Sequence, residues 1–321
     1  MRIAIKRDLT ALGILIVLYG VIQGLIEVDI IDPFWVLNIV IIGINIILAT
    51  SLNLINGFTG QFSIGHAGFM AAGAYISAVA TVKFQLPFVV AILIGATAAG
   101  ILGFVIGLPT LRLSGDYLAI ATLGLGEIIR ITILNIQYVG GASGFMGIPR
   151  YTNFTIVFII TILSVWIMKN FINSSHGRAC ISIRENEIAA ESMGVDTTKY
   201  KVLAFTMGAF FAGVAGALFS HYFYIAHPSS FTFMKSFDIL TMVVLGGLGS
   251  LTGSVTAAIL LTFISAKLAG VPELRMIIYS LALILLMIYR PQGLFGNKEI
   301  SLNIFAKLKG GAKNDTVVKG K

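Results

Sequence analysis

The stretch Pro87-Phe-Val-Val-Ala-Ile-Leu-Ile-Gly-Ala-Thr-Ala-Ala-Gly-Ile-Leu-Gly-Phe-Val-Ile-Gly107 contains no charged side chain. An apolar run of about 20 residues is long enough to cross the hydrocarbon core of a bilayer as an α-helix. The sequence therefore predicts an all-α polytopic membrane protein of about ten transmembrane helices. The other apolar segments lie at about 10–28, 33–55, 62–82, 116–135, 154–172, 204–225, 237–248, 253–269 and 274–290.

The composition also indicates that lipid surrounds most of the chain. Hydrophobic residues make up 57% of the 321 residues and charged residues 11%, whereas a soluble domain carries about 25% charged residues. The formal net charge of +8 could suggest a nucleic-acid partner, but Lys and Arg lie in short loops and at the two ends. Cytoplasmic loops of membrane proteins carry this excess. We therefore expect contact with membrane lipid, no nucleic-acid partner, and cytoplasmic location of both termini.

The apolar segments define one large domain with two polar additions. We expect a transmembrane domain over residues 1–296, with a charged cytoplasmic insert at about 173–201. Residues 297–321 are basic and rich in Gly and Lys toward their end, which predicts a flexible cytoplasmic tail.

Two glycine-rich segments, Gly57–Tyr75 and Val244–Gly253, interrupt apolar runs. Non-helical backbone at membrane depth persists only where protein or water covers it, and transporters use such broken or re-entrant helices to line their binding sites. We interpret both segments as lining a translocation pathway. The alternative is close helix packing, in which polar side chains satisfy loose backbone groups, and His66 taken alone fits that role better. The pathway candidates are Thr59, Gln61, Ser63, His66, Gly246, Gly247 and Gly249.

Three acidic residues are further pathway candidates. Asp116 and Asp238 each lie near the start of a predicted span, where an aspartate can cap the helix or contact a substrate or gate. They occupy similar stretches at an offset of 122 residues, which suggests two related halves. Glu127 lies three residues before Arg130 inside a span, so the two side chains can form an internal ion pair, or a gate contact.

The insert contains the most informative polar stretch, Gly177–Gly194. Charged and apolar residues alternate as in an amphipathic helix, which Gly194 would end. Such a helix lies on a lipid surface or docks in a groove on a partner, and its three glutamates disfavour anionic lipid. We therefore expect a protein partner. The candidate contact residues are Arg184, Glu185, Glu187, Ile188, Ala189, Ala190, Glu191 and Gly194.

No pattern in the sequence indicates catalysis. The four histidines lack metal-ligand spacing, and no Gly-x-Ser-x-Gly elbow occurs. The one cysteine, Cys180, cannot form an internal disulfide. Val244–Gly253 lacks the lysine of a phosphate-binding loop. We expect no catalytic residue, no metal site and no enzyme activity in this chain.

Motifs distributed over residues 45–296 resemble the permease subunits of bacterial branched-chain amino-acid ABC importers, specifically the M-type subunit. So many separated motifs in one order are specific for this family and less specific for its substrate. They are Gly57–Tyr75, Arg112–Tyr117, Leu125–Arg130, Gly140–Pro149, Gly177–Gly194, Tyr200–Phe205, Ala212–Ala217, Pro228–Phe231, Val243–Ser250 and Tyr289–Phe295.

The resemblance implies a subunit of an ATP-driven importer for Leu, Ile and Val in the bacterial inner membrane. Its partners would be a sister permease, two cytoplasmic ATPases that bind ATP and Mg, and an extracytoplasmic solute-binding protein; this chain itself would hold no cofactor. The insert would be the coupling helix in an ATPase groove. Two departures stand out: the usual glutamate of that helix is displaced to Glu187, and Gln61 stands where an apolar residue is commoner.

Two other functions stay open at this point. Importers of urea and short-chain amides resemble this family, so the same kind of permease could carry those solutes. An ion-coupled secondary transporter would need ionisable groups inside the membrane, for which Asp116 and Glu127 are candidates, but it would leave the insert unexplained.

Overall fold

The computed structural model describes residues 2–271 and the single positions 281, 284, 288, 289 and 293, with side chains from residue 13 onward. Most of the predicted tenth segment, 274–290, and the whole predicted tail, 297–321, lie outside the described residues.

The described part of the chain is built almost entirely from helices. A π-helical turn, Leu54–Phe58, continues α2, and two short strands, β1 (Phe145–Met146) and β2 (Ile225–Ala226), pair antiparallel with Phe145 opposite Ala226. The helices are α1 (Arg2–Glu27), α2 (Pro33–Asn53), α3 (His66–Val82), α4 (Phe88–Thr110), α5 (Asp116–Asn135), α6 (Phe154–Asn173), α7 (Ser175–Glu185), α8 (Glu187–Ser192), α9 (Thr197–Phe223), α10 (Phe233–Gly246) and α11 (Leu251–Lys267).

The prediction of an all-α polytopic membrane protein is confirmed. Among the described residues, five helical segments are long and apolar enough to cross a bilayer, and three shorter apolar helices accompany them. The eighth and ninth predicted segments are indeed short, because α10 has 14 residues and α11 has 17. The five long segments are Pro33–Phe58, Phe88–Thr110, Asp116–Asn135, Phe154–Asn173 and Thr197–Phe223.

The seventh predicted segment, 204–225, starts too late. Helix α9 begins at Thr197, where Asp196 accepts a hydrogen bond from Lys199 N at 3.0 Å and so caps the first turn. The basic residues Lys199 and Lys201 therefore belong to the first turns of α9 and not to a loop before it.

The centre of the bundle is α9, which packs against α3 and α4. Small residues bring these helices close: a Cβ atom at Gly73 of α3 would collide with the backbone of Gly213 in α9. Membrane helices associate through such small-residue contacts, which maximise van der Waals packing between backbones. Phe205 and Leu218 of α9 are fully buried in the same core. This tight unit fixes the position of α3.

The bundle has two ends, which we name by their surface elements. The insert end carries α7 and α8, and α2 reaches it through the π-helical turn. The hairpin end carries β1 and β2, and α3 approaches it, since Tyr75 Oη donates to Ala226 O at 2.7 Å. Helix α10 contacts the start of α3, where the buried Ser236 Oγ accepts from Ala67 N at 3.0 Å, and ends at the insert end.

Candidate functional site

The two predicted helix breaks meet at the insert end. Asn53, at the end of α2, accepts a hydrogen bond from Gly249 N at 2.9 Å through Oδ1. Its Nδ2 donates to Ser250 O at 2.9 Å and to Ser254 Oγ at 2.8 Å. Gly247 and Gly249 have φ angles of +112° and +86°, values that residues other than glycine rarely adopt. The breaks that the sequence predicts separately therefore form one site around Asn53.

The insert contacts this site through Arg184. Arg184 Nη1 donates to Gly57 O at 2.9 Å, and a Cβ atom at Gly249 would lie 2.5 Å from the same nitrogen. The backbone of Arg184 also lies against Gly60. On the other side of the guanidinium, Arg184 Nη2 forms an ion pair with Glu185 Oε1 at 2.6 Å. The guanidinium of Arg184, which we predicted to contact a partner, is thus directed at the helix breaks of its own chain.

The insert consists of two helices instead of the single amphipathic helix that we expected through Arg184. Asn186 separates them, with φ −162° and ψ 107°, and caps α8 by accepting a hydrogen bond from Ala189 N at 3.0 Å. Asparagine is a favoured N-cap residue, and its side-chain hydrogen bond to Ala189 N favours a new helix start at this position over continuation of α7. Gly194 follows α8 with φ +84°, which confirms the predicted helix end.

Helix α8 presents apolar side chains outward. Ile188 is 79% exposed and Met193 is 85% exposed, whereas Ala190 is buried against the rest of the chain. Glu187 forms an ion pair with Lys201 of α9 at 2.5 Å, which ties α8 to the central helix of the bundle. The exposed side chains of Ile188 and Met193 are suited to fill a groove on a protein partner.

The first break continues as a non-helical segment, 59–65, before α3 starts at His66. Burial alternates along it: Gln61 and Ser63 are buried, whereas Phe62 between them is 37% exposed. Asn56 holds the segment in place, because its Nδ2 donates to Ser63 O at 3.1 Å and its Oδ1 accepts from Ser63 N at 3.2 Å. The broken helix predicted between Gly57 and Gly68 is confirmed.

Two of the predicted pathway side chains form hydrogen bonds within the first break. Thr59 Oγ1 donates to Leu54 O at 2.9 Å, and His66 Nε2 lies 2.8 Å from Ser51 Oγ of α2. Both Thr59 and His66 are buried, and His66 has no exposed surface.

The predicted ion pair between Glu127 and Arg130 is confirmed, with 2.7 Å between Glu127 Oε2 and Arg130 Nε. Glu127 has a second contact, since its Oε1 accepts from Phe233 N, the first residue of α10, at 3.0 Å. A carboxylate at a helix amino end satisfies a free N–H and interacts favourably with the helix dipole. Glu127 therefore links α5 to the start of α10.

The two aspartates differ from the expected caps. Asp116 is the first residue of α5 and is exposed, and within the described residues its side chain accepts no hydrogen bond. Asp238 is not at a helix start: α10 begins at Phe233, which places Asp238 in the second turn. The capping interpretation of Asp238 is wrong because α10 begins five residues earlier, where Phe233 N donates to Glu127.

Several asparagines and one lysine of the site escaped the sequence reasoning. Lys235 Nζ donates to Asn45 Oδ1 at 3.1 Å, and Asn45 Nδ2 donates to Thr262 Oγ1 at 2.9 Å, so α2, α10 and α11 share a polar contact inside the bundle. A usable signal exists, because Asn38, Asn45 and Asn53 recur at spacings of seven and eight in an apolar helix. That spacing places them on one helix face.

The single cysteine provides a test of how α7 is packed. Cys180 is fully buried, and burial raises its pKa to about 11, an effect that the neighbouring Thr59 hydroxyl opposes. At pH 8 only roughly a thousandth of such thiols is ionised, and the thiolate is the reactive form. We expect N-ethylmaleimide at pH 8 to leave this chain unlabelled in its folded state and to label it fully in denaturant, as read by mass spectrometry of the chain. Rapid labelling of the folded protein would contradict the packing of α7.

A lipid-facing helical bundle with paired helix breaks, contacted by a surface insert, defines the class of integral-membrane permeases. Within this class, comparison of the sequence with known families identifies one family. The chain belongs to the family described as the permease component of branched-chain amino acid transport systems, whose family model matches residues 36–287.

Relatives of known name support this assignment. The chain is 36% identical to the high-affinity branched-chain amino acid transport system permease protein LivM of Escherichia coli K12, over 84% of this chain and 71% of LivM. It is equally identical to LivM of Salmonella typhimurium, over 78% of this chain and 67% of that protein. It is 29% identical to the permease protein LivH of Escherichia coli K12, over 56% of this chain and 59% of LivH. No solved structure matches the chain.

Proposed function

We propose that this chain is the membrane-spanning subunit of an ATP-driven importer that carries branched-chain amino acids (Leu, Ile, Val) across the bacterial inner membrane. Family membership supports the permease role, and the names of the relatives support the cargo. The chain contributes the conduit and no covalent chemistry. Both of its termini lie in the cytoplasm, in line with the distribution of Lys and Arg.

The proposal includes three kinds of partner. A sister permease completes the membrane core, which the similarity to both LivM and LivH supports. Two cytoplasmic ATPases bind ATP and Mg and dock on α8, whose exposed Ile188 and Met193 would enter an ATPase groove. A solute-binding protein delivers the cargo from outside.

The contact between Arg184 and Gly57 carries the mechanistic part of the proposal. When the ATPases close on ATP, α8 moves with them, and α7 follows because only Asn186 separates the two helices. Arg184 then pulls on the π-helical turn and, through Asn53, on the second break. Packed membrane helices respond as rigid elements, so this displacement reaches α3 and α10 and opens the pathway to alternate sides.

Removal of residues 184–194 tests the proposed coupling. In proteoliposomes that contain the assembled transporter and its binding protein, we expect this deletion to abolish ATP-driven leucine uptake while the chain still inserts into the membrane. Leucine uptake that survived the deletion would contradict an ABC importer.

A milder substitution separates docking from folding. Ile188→Glu adds a charge at an exposed apolar position of α8 and should weaken co-purification of the ATPases by about tenfold or more, since burial of an unpaired charge is costly. Ser192→Ala, an exposed position of the same helix outside the predicted contact residues, is the matched control and should leave co-purification unchanged. Equal loss in both variants would contradict docking through the apolar side chains.

A further inference from the structure

Unpaired buried polar atoms concentrate at one place in the described residues. Six buried side-chain nitrogen or oxygen atoms lack a hydrogen-bond partner, and four of them belong to Gln61, Ser63 and His66. They are Gln61 Nε2 and Oε1, Ser63 Oγ and His66 Nδ1. The other two are single hydroxyls, in Thr152 and Thr206. Because an unpaired polar group inside a protein is costly, native proteins hold few of them, and a group of four indicates a missing polar partner.

The backbone holds these side chains on one side of the segment. The side chains of Gln61 and Ser63 are both buried, whereas that of Phe62 between them is exposed, so the two polar side chains lie on the same, inner face of this non-helical segment. Asn56 fixes Ser63 through the backbone alone, which leaves the Ser63 hydroxyl free to bind something else. His66, the first residue of α3, continues the same segment. The polar groups are therefore pre-positioned without being satisfied.

The hydrogen-bond network assigns a role to the free nitrogen of His66. Ser51 Oγ lies 3.0 Å from Leu48 O and 2.8 Å from His66 Nε2. The hydroxyl has one hydrogen, which it donates to the carbonyl of Leu48, so His66 Nε2 must be the donor in its own contact with Ser51. In the neutral imidazole the other nitrogen then carries a lone pair, and Nδ1 of His66 is a free acceptor.

The site thus offers donors and an acceptor close together along the chain. Gln61 Nε2 and Ser63 Oγ can donate, His66 Nδ1 can accept, and the amino end of α3 adds positive potential beside them. A carboxylate only accepts hydrogen bonds and an ammonium only donates them. A molecule that carries both groups on one carbon matches this combination better than a urea, whose two ends bear no charge.

We propose that Gln61, Ser63 and His66 bind the head group of a zwitterionic amino acid during its passage. The carboxylate receives hydrogen bonds from Gln61 Nε2 and Ser63 Oγ, and the ammonium donates to His66 Nδ1. The inference rests on the proposed function and adds to it the place and the chemistry of cargo recognition in the permease itself.

The test measures binding of leucine to the purified complex of both permeases and both ATPases, without the solute-binding protein, by ligand-observed NMR titration. 3-Methylbutan-1-amine, which lacks the carboxylate, and 4-methylpentanoate, which lacks the ammonium, are titrated beside it. We expect each analogue to bind about tenfold more weakly than leucine or worse, because each loses hydrogen bonds to a charged group. No binding of leucine, or equal binding of all three ligands, would overturn the head-group site.

Single substitutions then test which residue binds the carboxylate of leucine and which binds its ammonium group. Ser63→Ala should lower the affinity for leucine about tenfold and leave that for 3-methylbutan-1-amine unchanged. His66→Phe should lower the affinity for leucine and leave that for 4-methylpentanoate unchanged. Thr206→Val removes an equally unpaired hydroxyl elsewhere and should change none of them. Unchanged leucine affinity in complexes that carry Ser63→Ala and His66→Phe would mean that water alone fills the site, and would overturn the proposal.

Leucine uptake by the unaltered transporter separates the two proposals. A complete transporter that hydrolyses ATP with its binding protein but moves no leucine would contradict the proposed function. A transporter that moves leucine, but whose Ser63→Ala and His66→Phe variants bind it as before, would contradict only the head-group site.

Discussion

Arg184→Gln should uncouple ATP hydrolysis from transport. The substitution removes the charged donor that joins the insert to Gly57 O, while α8 and its exposed side chains stay intact for docking. A hydrogen bond to a charged group contributes about 1.5–3 kcal/mol, so we expect leucine uptake in proteoliposomes to fall about tenfold or more. ATP hydrolysis by the same preparation should persist. The decisive quantity is the ratio of leucine imported to ATP hydrolysed.

Arg178→Gln is the matched control. Arg178 lies in the same helix and also donates to a backbone carbonyl, Asn173 O at 3.2 Å, but that bond is exposed and local. We expect it to leave the ratio unchanged. If uptake and hydrolysis fell together in Arg184→Gln, or if both variants behaved alike, Arg184 would be a structural residue and the insert would transmit motion by another contact.

The helix breaks were predictable because they violate a general requirement. Apolar helices in lipid satisfy their own backbone groups, so clustered glycines with Gln61 and Ser63 mark a place where something else must do so. The same reasoning located the second break at Gly247 and Gly249. That the two breaks meet could not be predicted, since Asn53 and Gly249 are 196 residues apart in sequence.

The error at Asp238 arose because α10 starts earlier than the apolar pattern indicates, at Phe233, whose N–H donates to Glu127 of α5, 106 residues away. The contact of Arg184 with Gly57, 127 residues away, is likewise set by tertiary packing and could not be read from the sequence; its predicted role in coupling stays a prediction. The break at Asn186 was different, because an asparagine three residues before Ala189 is a local N-cap signal that the periodicity obscured.

Asn53→Leu should destabilise the assembled transporter and abolish most uptake. Leucine fills a similar volume, but it removes the amide that bridges the two breaks and leaves the N–H of Gly249 without an acceptor. Each unsatisfied buried group costs about 1–3 kcal/mol, and lipid around the bundle offers no replacement. We expect a lower temperature of thermal inactivation, measured by size-exclusion chromatography after heating, together with loss of leucine uptake.

Asn38→Leu separates the bridge from the general effect of removing a buried amide. Asn38 lies on the same helix and is also buried, but it donates only to Phe34 O within α2, at 2.7 Å. A carbonyl in a helix keeps its own backbone partner, so this substitution should change the inactivation temperature and leucine uptake little.

A double substitution tests the bridge directly. Ser254→Ala combined with Asn53→Leu should lower the inactivation temperature by less than the sum of the two single effects, because Ser254 Oγ and Asn53 Nδ2 share one bond. Additive effects, or equal losses at Asn38 and Asn53, would show that the two breaks hold their positions without Asn53 and that motion at Gly57 need not reach α10.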